Sequence, residues 1–310
     1  MSAIDYEVII IGGGPAGLTA GLYTCRARLQ TLLIEEMLVG GQVATTDLVE
    51  NYPGFIEGIK GPELVQNMEE QAKKFGLEIL TGGIEEVSVG ENGLKRIKIN
   101  DRELSCKALI IASGTQPNEL GVGGESELRG RGVSYCATCD GPFFRELNIA
   151  VIGGGNSAVE EGIFLTKYAN KVYIIHRRDK LRADKIAQER AFNNEKIEIV
   201  WDTVLEKIEG NQTVEAIQVR NVKTNTVSKL KVGGVFLYVG IKPNTGFLKG
   251  IVSLDKNGFV VTDDEMKTSV SGIFAAGDVR VKLLRQIATA VGDGATAAFA
   301  AERYIEELNS

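Results

Sequence analysis

Two glycine-rich stretches, each preceded by a β-branched apolar run, constrain the fold of this chain more than any other feature. The first run, Glu7-Val8-Ile9-Ile10-Ile11, leads into Gly12-Gly13-Gly14-Pro15-Ala16-Gly17. Such a run reads as a buried parallel strand. The stretch after it fits G-x-G-x-x-G, Leu18 to Arg28 reads as a helix, and a second strand over Thr31 to Ile34 ends at Glu35. Each position has a physical reason. Gly12 permits the tight turn, Gly14 lets the backbone approach a pyrophosphate, and Gly17 lets helix and strand pack closely. The helix N-terminus presents unpaired N–H groups to phosphates. Glu35 is placed to accept hydrogen bonds from an adenosine ribose hydroxyl. The motif predicts a dinucleotide site and leaves open whether FAD or NAD fills it.

The second run, Asn148-Ile149-Ala150-Val151-Ile152, leads into Gly153-Gly154-Gly155-Asn156-Ser157-Ala158, the variant that ends in alanine. A helix is expected from Ser157 to Tyr168 and a strand from Lys171 to Ile175. Where the first unit has Glu35, this one has His176-Arg177-Arg178, with Arg182 close behind. No carboxylate is there to hold a free 2′-hydroxyl, and several cations are there to hold a 2′-phosphate, as in NADP. One acidic and one basic unit in the same chain imply two different nucleotides.

A chain of 310 residues suits two domains. Its 44% hydrophobic and 25% charged residues are those of a globular protein that buries full cores. The net charge of −6 argues against nucleic acid as a partner. No apolar stretch approaches the roughly 20 residues of a membrane helix, and Met1 to Glu7 lacks the pattern of a signal peptide. The expectation is a cytoplasmic protein, in which thiols are kept reduced and a disulfide is transient and catalytic.

Between the two units lies a long turn-rich segment from Gly40-Gly41-Gln42 to Asn51-Tyr52-Pro53-Gly54. Long ordered loops tend to carry function. Gly61 to Phe75 reads as an amphipathic helix with Leu64, Met68, Ala72 and Phe75 on one face, and Glu78 to Leu104 as strand-like. Ala108 to Ala112 is a further buried strand, followed by Ser113-Gly114-Thr115-Gln116-Pro117. That last piece resembles Gly240-Ile241-Lys242-Pro243-Asn244, so the two read as crossings between domains. The expected fold is α/β, with two Rossmann-like dinucleotide-binding domains, the second (116–243) inserted into the first (1–115 and 244–310).

Cys136-Ala137-Thr138-Cys139-Asp140 stands between the two glycine motifs. Two cysteines at this spacing can close a small disulfide. A structural zinc site wants four ligands, and only two are evident, so no metal is expected. Cys25 and Cys106 have no cysteine at redox spacing and read as packed thiols.

In this order, the two glycine motifs, Cys136 to Gly141, His176-Arg177-Arg178 with Arg182, and Phe274-Ala275-Ala276-Gly277-Asp278 closely resemble the low-molecular-weight, bacterial-type thioredoxin reductases, end to end. The Cys-Ala-Thr-Cys-Asp piece is far more specific than either glycine motif. The resemblance implies that the first domain holds FAD, with Asp278 and the Arg285-Gln286-Ile287-Ala288 run near ribitol and flavin, and with Gly41, Gln42 and Asn51 at further flavin-site positions. It implies NADPH on the inserted domain and a homodimer. Hydride would pass from NADPH to flavin, electrons on to the Cys136–Cys139 disulfide, and from the dithiol to thioredoxin. Cys139 would face the flavin, Cys136 would attack the partner, and Asp140 would protonate the departing thiolate. Because nicotinamide and disulfide need the same flavin, the inserted domain is expected to swing about the crossings. The alternatives are a related flavoprotein with another donor (ferredoxin) or acceptor (another disulfide, oxygen), and a nucleotide-binding redox sensor.

Overall fold

The computed structural model describes residues 4–46, 48–90 and 92–310, apart from the side chain of Cys139. In chain order, β1 (Tyr6–Ile11), α1 (Pro15–Arg26) and β2 (Thr31–Glu35) precede α2 (Gly61–Lys74), β3 (Glu78–Thr81), β4 (Ile84–Val89), β5 (Lys95–Ile99) and β6 (Arg102–Ile111). A short β7 (Thr115–Pro117) leads to β8 (Val133–Ser134), α3 (Ala137–Asp140), β9 (Asn148–Ile152), α4 (Asn156–Leu165), β10 (Lys171–Ile175) and α5 (Lys185–Phe192). Then come β11 (Ile197–Val200), β12 (Thr203–Glu209), β13 (Ala216–Asn221), β14 (Val227–Leu230) and β15 (Gly234–Leu237). The chain returns through β16 (Ile241–Pro243) to β17 (Ile273–Ala275) and α6 (Ile287–Asn309). It divides into two units, residues up to Gln116 with Lys242–Ser310, and Pro117–Ile241.

In the first unit β3, β2, β1 and β6 lie side by side and parallel, and β17 pairs with the last residues of β6, Ile273 beside Leu109. The first half of β6 pairs instead with antiparallel β5, which carries β4 beyond it. Val8 and Ile10 pack against α1 and α6, while Ile9 and Ile11 pack against Val87, Ile97 and Val260 on the other face. Both faces of β1 are covered, which is why its sequence is apolar without alternation. Small residues let α1 and α6 approach closely. A Cβ on Gly294 would lie 2.2 Å from the Ala16 carbonyl oxygen.

The second unit repeats the design with a parallel sheet in the order β11, β10, β9, β15, β8, and adds an antiparallel sheet of β12, β13 and β14. Ile149 and Val151 face Leu165 and Phe236, while Ala150 and Ile152 face Ile208 and Ile217. The α/β architecture with two Rossmann-like sheets is the one expected from the glycine motifs.

Several element ends differ from the sequence reading. Helix α1 starts at Pro15, because proline suits the first helical position, and stops before Arg28, whose φ is 65°. Helix α4 stops at Leu165, and its last turn tightens into i→i+3 bonds from Thr166 to Tyr168. Phe75 is not on the buried face of α2. It caps the helix end, stays 41% exposed and lies beneath the Arg26 guanidinium.

At the crossings, Ser113 Oγ donates to the Asn244 carbonyl (2.7 Å) and Asn244 Nδ2 donates to the Ser113 carbonyl (2.8 Å). The two chain segments are thereby fastened where they leave and re-enter the first unit.

Candidate active site

At the end of β1, Gly12 has φ +106°, and a Cβ there would lie 2.3 Å from the Ala112 carbonyl oxygen. A Cβ on Gly17 would lie 1.8 Å from the Gly12 carbonyl oxygen, so helix and turn meet backbone to backbone. Gly14, the N-cap of α1, has nothing within 4 Å of such an atom, so this side of the turn is open to a ligand. Pro15 occupies the first helical position, and Ala16 is buried against Gly277. Glu35 accepts hydrogen bonds from the Gly13 N–H (2.7 Å) and the Met37 N–H (3.1 Å), which fixes the carboxylate beside the turn. Gly41, with φ +56°, folds back over Gly14, where a Cβ would stand 3.4 Å from the Gly14 Cα.

Other expected flavin positions gather on the same unit. Gln42 Nε2 donates to the carbonyl and hydroxyl oxygens of Thr115. Asn51 Nδ2 donates to Gln286 Oε1 (2.9 Å), and Gln286 caps α6 in a reciprocal box with Thr289. Ile287 and Ala288 form the first turn of α6, whose leading N–H groups have no partner within the helix. Asp278 sits in the turn after β17, and its Oδ1 is buried without a hydrogen-bond partner. Burial raises its pKa above the usual carboxylate value, opposed by Lys282 and Arg285. Arg285 spends its N–H groups on the carbonyls of Asp278, Arg280 and Lys282 and stacks on Phe259, 4.2 Å from the ring centroid. It therefore shapes the turn that carries Asp278.

Asp293 escaped the sequence reading. It is buried, accepts from the Gly277 N–H, and is ion-paired with Arg280 (3.2 Å) and Lys282 (2.6 Å), so it holds the same turn from beneath. An isolated aspartate in an alanine-rich helix carries no local signal of this.

In the second unit a Cβ on Gly153 would lie 2.5 Å from the Tyr238 carbonyl oxygen, and one on Gly155 would meet nothing. Asn156 and Asp184 exchange two hydrogen bonds that tie α4 to the start of α5. Ser157 is exposed on the first turn of α4. Arg177, Arg178 and Arg182 are exposed, and among the described residues none is ion-paired. His176 departs from these three. Its ring is 4% exposed, lies under Gly154, and places Nε2 3.0 Å from the Lys180 carbonyl oxygen. Burial lowers its pKa, aided by the three neighbouring arginines. The neutral imidazole supports the basic loop and adds no charge to it.

Cys136 stands just before α3 and is disulfide-bonded. The side chain of Cys139, with its expected place beside the flavin, lies outside the described residues. Asp140 closes the turn, its N–H donating to the Cys136 carbonyl at 3.2 Å. Its charge and that of Glu161 raise the pKa of the Tyr238 phenol further, after burial, so that hydroxyl stays protonated. Cys25 and Cys106 are free and buried, and burial pushes the Cys106 thiol up to about 12. Neither is a nucleophile at neutral pH. Ser134 exchanges hydrogen bonds with the backbone of Cys136, and Tyr135 precedes it in the chain. Tyr135 donates to Glu125 (2.6 Å), which accepts three further bonds from the backbone of residues 120–122.

This arrangement has relatives. Residues 6–294 match the pyridine nucleotide-disulphide oxidoreductase family. The chain is 51% identical over 304 residues to a thioredoxin reductase of Bacillus subtilis, covering 98% of this chain and 96% of that one. It is 48% identical to that of Peptoclostridium litorale, at 98% of both chains. Among solved structures, Lactococcus lactis thioredoxin reductase matches with a TM-score of 0.95 at 47% identity, over 97% of this chain and 99% of that one. The chain belongs to the pyridine nucleotide-disulphide oxidoreductases and, among them, to the thioredoxin reductase family.

Proposed function

We propose that this chain is a thioredoxin-disulfide reductase that takes its electrons from NADPH through FAD. The observation that carries this reading is the contrast between the two glycine turns. Glu35 stands beside the first, and the unpaired Arg177, Arg178 and Arg182 stand beside the second, on the unit that holds the Cys136 disulfide. In balance, NADPH, a proton and a protein disulfide give NADP⁺ and a protein dithiol.

FAD suits the residues of the first unit. The open face of Gly14 admits a pyrophosphate, Glu35 holds the adenosine ribose, and the partnerless Asp278 Oδ1 is an acceptor suited to a ribitol hydroxyl. When bound, FAD supplies a two-electron relay between nicotinamide and disulfide. Gly12, Pro15, Ala16 and Gly17 set the turn, and Gly41, Gln42, Asn51 and the run Arg285 to Ala288 frame the rest. On the second unit Gly153, Gly155, Asn156 and Ser157 receive the NADPH pyrophosphate, and the three arginines receive its 2′-phosphate. His176 keeps their loop in shape.

Once the disulfide is reduced, the Cys136 thiolate attacks one sulfur of the thioredoxin disulfide and releases the other as a thiolate, leaving a mixed disulfide. The Cys139 sulfur then displaces the second thioredoxin sulfur and restores the enzyme disulfide. Asp140 supplies a proton to a departing thiolate. The second unit turns about the crossings between the nicotinamide step and the dithiol step, because both use one flavin. The enzyme is a cytoplasmic homodimer on this reading. Among the described residues no helix is long and apolar enough to cross a membrane.

Anaerobic titration tests the reading. Purified protein should be yellow, bleach with NADPH far more readily than with NADH, and recover its colour when oxidised thioredoxin is added. Equal bleaching by NADH, or no recovery with thioredoxin, would overturn it.

A further inference from the structure

The backbone on both sides of Cys136 is held by two side-chain hydroxyls. The Cys136 N–H donates to Ser134 Oγ at 3.0 Å, and the same hydroxyl donates to the Cys136 carbonyl at 3.2 Å. The following amide, the Ala137 N–H, donates to the Tyr238 phenol oxygen at 3.0 Å. Ser134 is buried in β8, and Ala137 is 1% exposed, so no water replaces either partner without opening the site. The short helix has its own closing bond, from the Asp140 N–H to the Cys136 carbonyl, apart from these three.

Tyr238 also reaches the second glycine turn. Its N–H donates to the Ile152 carbonyl at 2.8 Å, and its own carbonyl oxygen fills the space beside Gly153. One residue thus touches both the peptide of the redox cysteine and the turn assigned to NADPH. Thiol–disulfide exchange needs the attacking sulfur aligned with the bond that breaks, so freedom in these peptide planes lowers the productive fraction of encounters.

We propose that Ser134 and Tyr238 are positioning residues for the dithiol chemistry, whose hydroxyls clamp the peptide groups flanking Cys136, with Tyr238 linking that clamp to the Gly153 turn. This rests on the reading of the chain as a thioredoxin-disulfide reductase. Tyr238 keeps its ring in Tyr238→Phe and loses only the acceptor. Ser134→Ala loses both bonds of its hydroxyl, and Ser134→Thr keeps them.

The test uses the full-length, flavin-loaded enzyme and its three variants. One measurement is steady-state thioredoxin reduction. The other is the pH profile of iodoacetamide alkylation at Cys136 in the NADPH-reduced protein, followed by peptide mass spectrometry. Tyr238→Phe, which loses one ordinary hydrogen bond, should lower kcat about fivefold, and Ser134→Ala, which loses two, at least as much, each with KM for thioredoxin within about twofold. Each loss should also move the midpoint of the alkylation profile, and Ser134→Thr should restore both. If Tyr238→Phe and Ser134→Ala keep the wild-type kcat and alkylation profile, the clamp is wrong. Tyr238→Phe decides the matter alone should Ser134→Ala fail to fold. If wild-type enzyme does not reduce thioredoxin, the parent reading fails instead, and the alkylation profile still judges the clamp.

Discussion

Asp278 carries an oxygen that burial has separated from every partner in the protein. Its pKa is raised in the folded state, so folding favours the protonated acid. The sign follows from linkage. Stability from this group is fully present below the unfolded pKa and is lost as pH rises through the raised folded value. In the flavin-free protein this buried carboxyl therefore costs stability as pH rises from acid toward neutral. Asp278→Asn should raise the Tm of the flavin-free protein at pH 7, with the gain shrinking toward pH 4 in thermal melts. The same variant should bind FAD about tenfold more weakly by fluorescence titration, since an amide group replaces the carboxyl that accepts from the ligand. A second residue-scale contrast separates His176 from the arginines beside it. Arg177→Ala should raise KM for NADPH about tenfold and leave KM for NADH nearly unchanged, because only the 2′-phosphate feels the charge. The depressed pKa of His176 gives stability that is present above its unfolded value and lost as pH falls through the folded one. A steady NADPH preference in Arg177→Ala would remove that residue from the site.

At the scale of elements, periodicity found the long strands and α1, α2 and α4, gave no sign of α5, and failed where an end was decided by one contact. The apolar runs of β1 and β9 were legible because both faces of each strand are buried. The phase of α2 was not legible at Phe75, since helical spacing continues in sequence after the helix has stopped. Small residues on α6 show the converse. A composition rich in alanine and glycine announces close packing without naming the partner, which is α1 through Gly294 and Ala16. Gly294→Ala places a methyl carbon 2.2 Å from the Ala16 carbonyl oxygen, and overpacking of this kind costs roughly 1–3 kcal/mol. Because Ala16 lies in the first turn of α1, directly after Gly14 and Pro15, the variant should lose FAD on dialysis as well as melt at lower temperature. Retention of full flavin at an unchanged Tm would show that α6 gives way more easily than the backbone contact implies.

For the whole molecule, one design is used twice with opposite charge, and the chain passes between its two copies at two points. Ser113 and Asn244 fasten these points on the first unit, while the Asn118 N–H donates to the Gly240 carbonyl on the second. If turning of the second unit separates the nicotinamide and dithiol steps, a reversible crosslink between engineered cysteines on the two units should slow thioredoxin reduction. Cleavage of the crosslink should restore the rate. A locked enzyme that turns over normally would show that one arrangement serves both steps.

The sequence by itself determined the two glycine turns, their opposite charge and the cysteine spacing. Each depends on residues close together in the chain, where strand, turn and helix enforce a fixed register. Only the tertiary structure decided what surrounds them. Tyr238 reaches the Ala137 amide because β15 lies beside β8, a pairing between distant segments that no local pattern encodes. His176 packs beneath Gly154 because the turn above it has no side chain to keep the ring out. Asp293 finds Arg280 and Lys282 because α6 packs beneath the turn after β17. Spacing along the chain specifies which groups are available; burial and long-range pairing settle which of them carry charge, which hold others in place, and which are left open for a ligand.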